Sequence, residues 1–414
     1  MKYSVLVGRI VSIFSVFFLN LLAARLLSQD QTGQYFLSVS WVWFSSLIIQ
    51  FGSNYSLNRW LPIALEKNDK SLITTRIKLT FFTSFTYFIL TAILTFILSS
   101  WLKKQLGYSY IIFLTWVALA SIQMTISEIF RSFSDFKWAT LIGGPLAQVL
   151  TSCIVVIFFF QKKLLNIESL VLLTVLGLGC SCVCGLLKLY PQLKKHWVPV
   201  SIDWQNDWKR HFDFFLVNIL FYAFSQVDIW MVSYLSDKSA VAQYSVGQRV
   251  ALLASIPASV VNLSLMPDFS RWLARGDNDK VKQALFMSSW LGGIPALILV
   301  FIIFICGNFL IQFAFGSKYA SSSQIALVLA LGQSFHYLVG SRGTLLLMAG
   351  KQRVVLNSVF FSICIAILLE TFLFKHYGSV GIAVGSSLGL AVQTLYFIRA
   401  TRRELKIYIF KKAT

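Results

Sequence analysis

The chain has 414 residues, 57% of them hydrophobic and only 13% charged, with a formal net charge of +20. Its apolar residues come in long blocks, which excludes an ordinary soluble globular protein and marks a polytopic membrane protein. The positive charge does not point to nucleic acid, because no basic cluster outside the apolar blocks is interleaved with an aromatic platform.

Apolar blocks of about 20 residues separated by polar breaks predict twelve transmembrane helices. They lie near 8–28, 33–56, 79–101, 110–130, 138–160, 168–190, 212–235, 243–266, 284–306, 322–341, 353–374 and 380–399. The first block follows MKYSVLVGRIVS without a small-residue cleavage site, so no cleavable signal is expected. Near its end, NLLAARLLS (20–28) places Arg25 in apolar surroundings. A guanidinium in hydrocarbon costs roughly 2.5–3.5 kcal/mol, so Arg25 either snorkels to head groups or faces a watery cleft. In a cleft it would match a phosphate or an acidic sugar. The second block carries Trp41 and Trp43, which are either belt and packing residues or sugar-stacking platforms, and Arg59 follows it.

Glu128 and Arg131 in the fourth block are three apart on one helix face, the spacing of a structural ion pair. Gly143-Gly144-Pro145 in the fifth block, Pro257 in the eighth and Gly292-Gly293 with Pro295 in the ninth predict kinks. Cys180, Cys182 and Cys184 are spaced two apart and point in different directions on a helix, a poor metal site. All six cysteines lie in apolar blocks and read as packing. No metal or cofactor is expected, since neither a metal-ligand cluster nor a GxxxxGK[ST] phosphate loop is present.

Arg249 in the eighth block lies deeper than Arg25 relative to the polar boundary. Asp228 in the seventh could neutralise either arginine. Glu370 in the eleventh block and His336 in the tenth are candidates for proton coupling, against the alternative of hydrogen-bonded packing. Arg59, Lys78, Lys209 and Arg210 would ring a cytoplasmic mouth, where orientation alone also accounts for them.

With the N-terminus inside, 27 Lys and Arg fall on the cytoplasmic side and 7 on the other, leaving only Arg25 and Arg249 within the membrane. The bias predicts both termini in the cytoplasm and agrees with an even helix count. NRWLPIALEKNDK (58–70) is matched by SRWLARGDNDK (270–280), and LLSQDQTGQY (26–35) by YLSDKSAVAQY (234–244). The offsets of about half the chain predict two six-helix lobes, 1–190 and 212–399, related by an axis along the membrane normal. A cytoplasmic linker (191–211) joins them, and a basic tail (400–414) follows.

Ala24-Arg25-Leu26-Leu27 followed by Gly33-Gln34-Tyr35 resembles the first-loop pattern of the polysaccharide biosynthesis branch of the MOP exporter superfamily. Val227-Asp228, Gln243-Tyr244, Gln248-Arg249 and Pro257 resemble its helices seven and eight; FGSKY (315–319), LLLMAGKQR (345–353) and YGSVGIAVGSSLG (377–389) resemble its later helices. Within that superfamily the sequence is most similar to the O-antigen flippases. The resemblance implies a MATE-like, all-α fold around a central cleft in a bacterial inner membrane. It implies translocation of undecaprenyl-pyrophosphate-linked oligosaccharide by alternating access, with Arg25, Arg249 and Arg59 as the cleft cations. Lipid-linked oligosaccharide and membrane lipid are the expected ligands, and polymerase and chain-length proteins of the same pathway the expected partners.

Two competing functions remain. A multidrug cation antiporter of the same fold predicts a cleft dominated by carboxylates. A membrane glycosyltransferase, polymerase or ligase needs a large extracytoplasmic loop with acidic, Arg or His residues, whereas the longest outer break (about 307–321) carries only Lys318. No enzymatic bond-making is expected.

Overall fold

The computed structural model describes residues 2–161, 166–199 and 208–407, and these form helices without any strand. In chain order the helices are α1 (Lys2–Leu26), α2 (Gln29–Gln50), α3 (Ser53–Glu66), α4 (Lys70–Ile97), α5 (Ser99–Leu106), α6 (Tyr110–Ser132), α7 (Phe136–Ile142) and α8 (Pro145–Phe160). They continue as α9 (Ile167–His196), α10 (Trp208–Leu235), α11 (Lys238–Ala251), α12 (Ser255–Arg275), α13 (Asn278–Phe315), α14 (Ser322–Leu338), α15 (Arg342–Met348) and α16 (Gln352–Leu405). Each of the twelve apolar blocks falls on helix. Among the described residues, seven helices are long and apolar enough to cross a bilayer, or eight if Lys238–Asn262 and Ser264–Arg275 form one span bent by 41°. The full count of twelve therefore rests on the sequence pattern.

Several predicted helices are divided, each for a local reason. The second block breaks into α2 and α3 where Phe51 (φ 41) and Gly52 (φ 74) adopt left-handed backbone. The fifth breaks at Gly143-Gly144-Pro145, and two polar side chains of α6 serve the carbonyls at the end of α7. Gln123 Nε2 donates to Ile142 O at 2.7 Å, and Ser127 Oγ donates to Ala139 O at 2.8 Å. A broken helix survives in hydrocarbon only when its freed backbone groups are satisfied in this way.

In the eighth block a 3₁₀ turn, Leu252–Ala254, lies just before Pro257, where the sequence predicts a kink. In the ninth block α13 continues as helix through Gly292, Gly293 and Pro295. Its glycines permit close packing: a Cβ on Gly293 would lie 2.9 Å from Leu338 Cα, and one on Gly292 3.1 Å from Ala258 Cβ. The 54 residues of α16 would extend about 80 Å if straight. Gly378, at φ 56 and ψ −139, divides them in a conformation open essentially to glycine alone.

The chain forms two compact units, Met1–Tyr222 and Ala223–Thr414, with the division inside α10. The first part of α10 belongs to unit 1: the Tyr222 hydroxyl donates to Ser40 O at 3.0 Å, and Phe215 packs on Phe51 with ring centroids 4.7 Å apart. The core of unit 1 joins Leu57 and Leu61 of α3, Ile73 and Ile77 of α4, Ile129 and Phe130 of α6, and Leu189 of α9. That of unit 2 joins Phe269 of α12, Val281 and Leu285 of α13, Leu345 of α15 and Ile407.

The two units repeat one turn. Asn68, Ser134, Gly276 and Gly350 all have positive φ, and the residue after each donates its N–H to the carbonyl five positions back. Each is a Schellman closure, two per unit. Asp69 and Asp277 then cap α4 and α13, and Ser28 and Asp237 cap α2 and α11. The structural offset is thus 208–209 residues, slightly shorter than the Asn-Asp-Lys match suggests. Asp277 also meets Lys280 Nζ at 2.7 Å, which holds its carboxyl below the usual range.

Candidate functional site

Among the described residues, the buried carboxylates are Asp228 and Glu370, both in unit 2. Asp228 sits on α10 against α11. The Tyr244 hydroxyl donates to its Oδ2 at 2.9 Å, Gln248 Nε2 donates to both oxygens at 3.3 Å, and the Ile229 N–H donates to Oδ1 at 3.0 Å. Tyr244 and Gln248 are four apart, so the helical period turns both toward Asp228 and rotates Arg249 away. The Asp228–Arg249 pair considered from the sequence is not formed; Arg249 is half-buried near the end of α11.

Glu370 on α16 is fully buried and within electrostatic reach of Asp228 and Tyr244. Neither of its carboxylate oxygens has a hydrogen-bond partner among the described residues, and Gln248 Oε1 is likewise buried without one there. Gly385 lets the other half of α16 close over it, since a Cβ there would lie 2.7 Å from Glu370 N. Among the described residues, Glu370 thus presents two buried oxygens without donors and Gln248 a third. An ionised carboxylate buried without a partner costs several kcal/mol, so Glu370 suits a proton or a small cation.

His336 stands in a different environment. Its Nδ1 lies 2.7 Å from Thr394 Oγ1, whose own hydroxyl donates to Leu390 O at 2.7 Å. With that single hydroxyl proton committed, the Thr394 oxygen accepts from Nδ1–H. His336 also packs against the rings of Tyr337 and Phe397. This is a hydrogen bond joining α14 to α16.

The interior of unit 1 is polar without being acidic: Gln50, Gln123, Ser46 and Thr125 are buried, and Gln50 Nε2 donates to Ser121 O at 3.4 Å. Arg25 occupies the last turn of α1 and is exposed. Arg59 lies on α3, with its side chain outside the described residues, as are those of Lys209 and Arg210. Glu128 pairs with Arg131 at 2.7 Å. Trp41 packs edge-on against Phe44 and Trp101.

The sequence reading missed the partners of Asp228. The signal was the spacing Gln243-Tyr244-…-Gln248, which aims a hydroxyl and an amide at one facing acid. It also counted Arg342 only as an orientation charge, whereas the residue is buried.

The sequence model of the family described as "Polysaccharide biosynthesis protein" matches residues 3–273, well over half of the chain, and that of MatE matches residues 214–372. The chain is 24% identical over 244 residues to the probable low-salt glycan biosynthesis flippase Agl15 of Haloferax volcanii. That match covers 58% of this chain and 50% of the relative, so it spans half the length of that curated protein. Among solved structures, the inward-closed lipid II flippase MurJ superposes with a TM-score of 0.69 at 14% identity, covering 96% of this chain and 87% of that one. An inward-facing multidrug resistance MATE family transporter of the MOP superfamily gives 0.70 at 12% identity, covering 96% of each chain. At these identities the structural matches establish a MATE-like fold.

Proposed function

We propose that this chain, which belongs to the polysaccharide biosynthesis protein family of MOP exporters, is a flippase for a polyprenyl-pyrophosphate-linked oligosaccharide. The family match over residues 3–273 carries this reading, and the similarity to a glycan biosynthesis flippase supports it. The cargo is assigned to undecaprenyl pyrophosphate bearing an oligosaccharide repeat unit of the O-antigen type, moved from the cytoplasmic to the periplasmic leaflet of a bacterial inner membrane. Lobes 1–190 and 212–399 alternate access, Arg25, Arg249 and Arg59 receive the diphosphate, and the prenyl tail stays in lipid. Enclosing the head group spares its sugar hydroxyls a transfer through hydrocarbon that costs several kcal/mol per unpaired group. No bond is made or broken. In the same reading, the Asp228–Glu370 pocket takes the coupling ion, and the pathway's polymerase and chain-length proteins receive the product.

Complementation of a deletion strain tests this. Wild-type chain should clear lipid-linked repeat units from the cytoplasmic leaflet, and Arg25→Ala and Arg249→Ala should let them accumulate there. Unpolymerised units gathering on the outer leaflet of the deletion strain would instead indicate a polymerase.

The MatE match over 214–372 and the buried carboxylates of unit 2 favour a second reading, an organic-cation antiporter. It predicts drug sensitivity in the deletion strain with normal glycan export.

A further inference from the structure

Unit 2 contains a cavity of about 540 Å³ away from the acidic cluster, walled by α13, by the α14–α15 junction and by the last turns of α16. Its apolar wall is a stripe along one face of α13, formed by Phe286, Trp290, Ile294 and Leu297. These residues occur at helical spacing. All four are among the exposed large hydrophobic residues, Trp290 at 55%, so the cavity opens onto surface that faces acyl chains. Two guanidinium groups, of Arg342 and Arg402, line it as well.

The position of Arg342 is built into the fold. Gly340, at φ 81, presses the α14–α15 turn onto α13, where a Cβ would lie 2.7 Å from Leu285 O, and the next residue's N–H donates to Ser288 Oγ at 3.0 Å. Arg342 is consequently only 5% exposed. Its hydrogen bond among the described residues runs from Nε to Val339 O at 3.0 Å, leaving the two terminal amino groups to the cavity. The like-charged Arg402 lines the same cavity and lies within electrostatic reach of Arg342. No carboxylate among the described residues pairs with either arginine; the neighbouring Glu404 is taken by Lys351 at 2.9 Å. Two cations lining one cavity with no carboxylate partner among the described residues, one of them buried, suit an anion. The planar fork of a guanidinium matches a phosphate.

We propose that this cavity binds an anionic membrane phospholipid, with its phosphate between Arg342 and Arg402 and its acyl chains along the α13 stripe. The site lies at the end of unit 2 that the charge bias assigns to the cytoplasmic leaflet. A soluble anion would make no use of the aromatic wall. Bound there, the lipid bridges α13, α15 and α16. The proposal stands independently of the cargo assigned above.

Native mass spectrometry of the delipidated full chain in detergent tests it, with phosphatidylglycerol and phosphatidylcholine of identical chains, inorganic phosphate and undecaprenyl phosphate as probes. At about 1 kcal/mol for each basic residue near a lipid surface, phosphatidylglycerol should bind about 30-fold more tightly than phosphatidylcholine. Arg402→Gln should lower that preference about fivefold. This residue is exposed, so its substitution leaves the fold intact even if Arg342→Gln does not. Equal retention of the two phospholipids, or an unchanged preference in Arg402→Gln, overturns the proposal. Displacement by inorganic phosphate at matched concentration would overturn it in favour of a soluble-anion site. Preferential capture of undecaprenyl phosphate would overturn it in favour of the prenyl carrier.

Discussion

Glu370 and Asp228 lie close together but are held differently, one without donors and the other with three. The difference assigns them different expected phenotypes. Glu370→Gln retains shape and removes the ionisable group, so the chain should fold normally and lose gradient-driven transport. Transport by reconstituted vesicles under imposed proton and sodium gradients reads this, and wild-type gradient dependence in the variant would remove Glu370 from coupling. Tyr244→Phe takes a buried donor from Asp228 and should lower stability by about 1–3 kcal/mol, seen as a drop in thermal midpoint in detergent. Both acids were legible in the sequence as rare charges in apolar blocks. Their surroundings were not, because helix register alone does not say which face of α11 meets α10. The same ambiguity let Arg249 pass as a partner for Asp228, when the residue one position earlier supplies the contact.

At the scale of elements, breaks are stable where their freed groups find partners. Gln123→Leu should leave the Ile142 carbonyl without its side-chain donor and cost about 1–3 kcal/mol, measurable by thermal unfolding. Gly378→Ala should cost about 1–3 kcal/mol through backbone strain, since no neighbouring atom crowds that position. An unchanged midpoint in either variant would contradict the local account. On acidification, the stabilising contribution of Asp277 should be full above the ordinary carboxylate range and be lost progressively as pH falls through that range to the lower folded value that Lys280 sets. Glycine and proline in the sequence located most of the interruptions, but not their mechanism. Gly292 and Gly293 also serve close packing against Ala258 and Leu338, and the eighth block passes through a 3₁₀ turn just before Pro257. Such distinctions depend on which neighbour lies opposite, and a single chain's periodicity does not contain that information.

For the whole molecule, apolar blocks and charge asymmetry sufficed to predict an all-helical membrane protein, and short sequence matches hinted at duplication. The four equivalent Schellman turns express that duplication in backbone geometry, where sequence identity has largely faded. The division within α10 was not legible, because α10 is one continuous apolar helix whose two ends pack on different units. The family places the chain among polysaccharide biosynthesis proteins, and the proposal adds the transport activity, its direction, the cargo and the ion site. The most direct test loads a polyprenyl-pyrophosphate-linked oligosaccharide into one leaflet of proteoliposomes and follows its exposure to a membrane-impermeant glycosidase added on the opposite side. The account predicts exposure that depends on the reconstituted chain and is lost in the Arg25→Ala/Arg249→Ala double variant. Exposure no greater than in protein-free vesicles, accompanied by gradient-driven uptake of an organic cation, would contradict it.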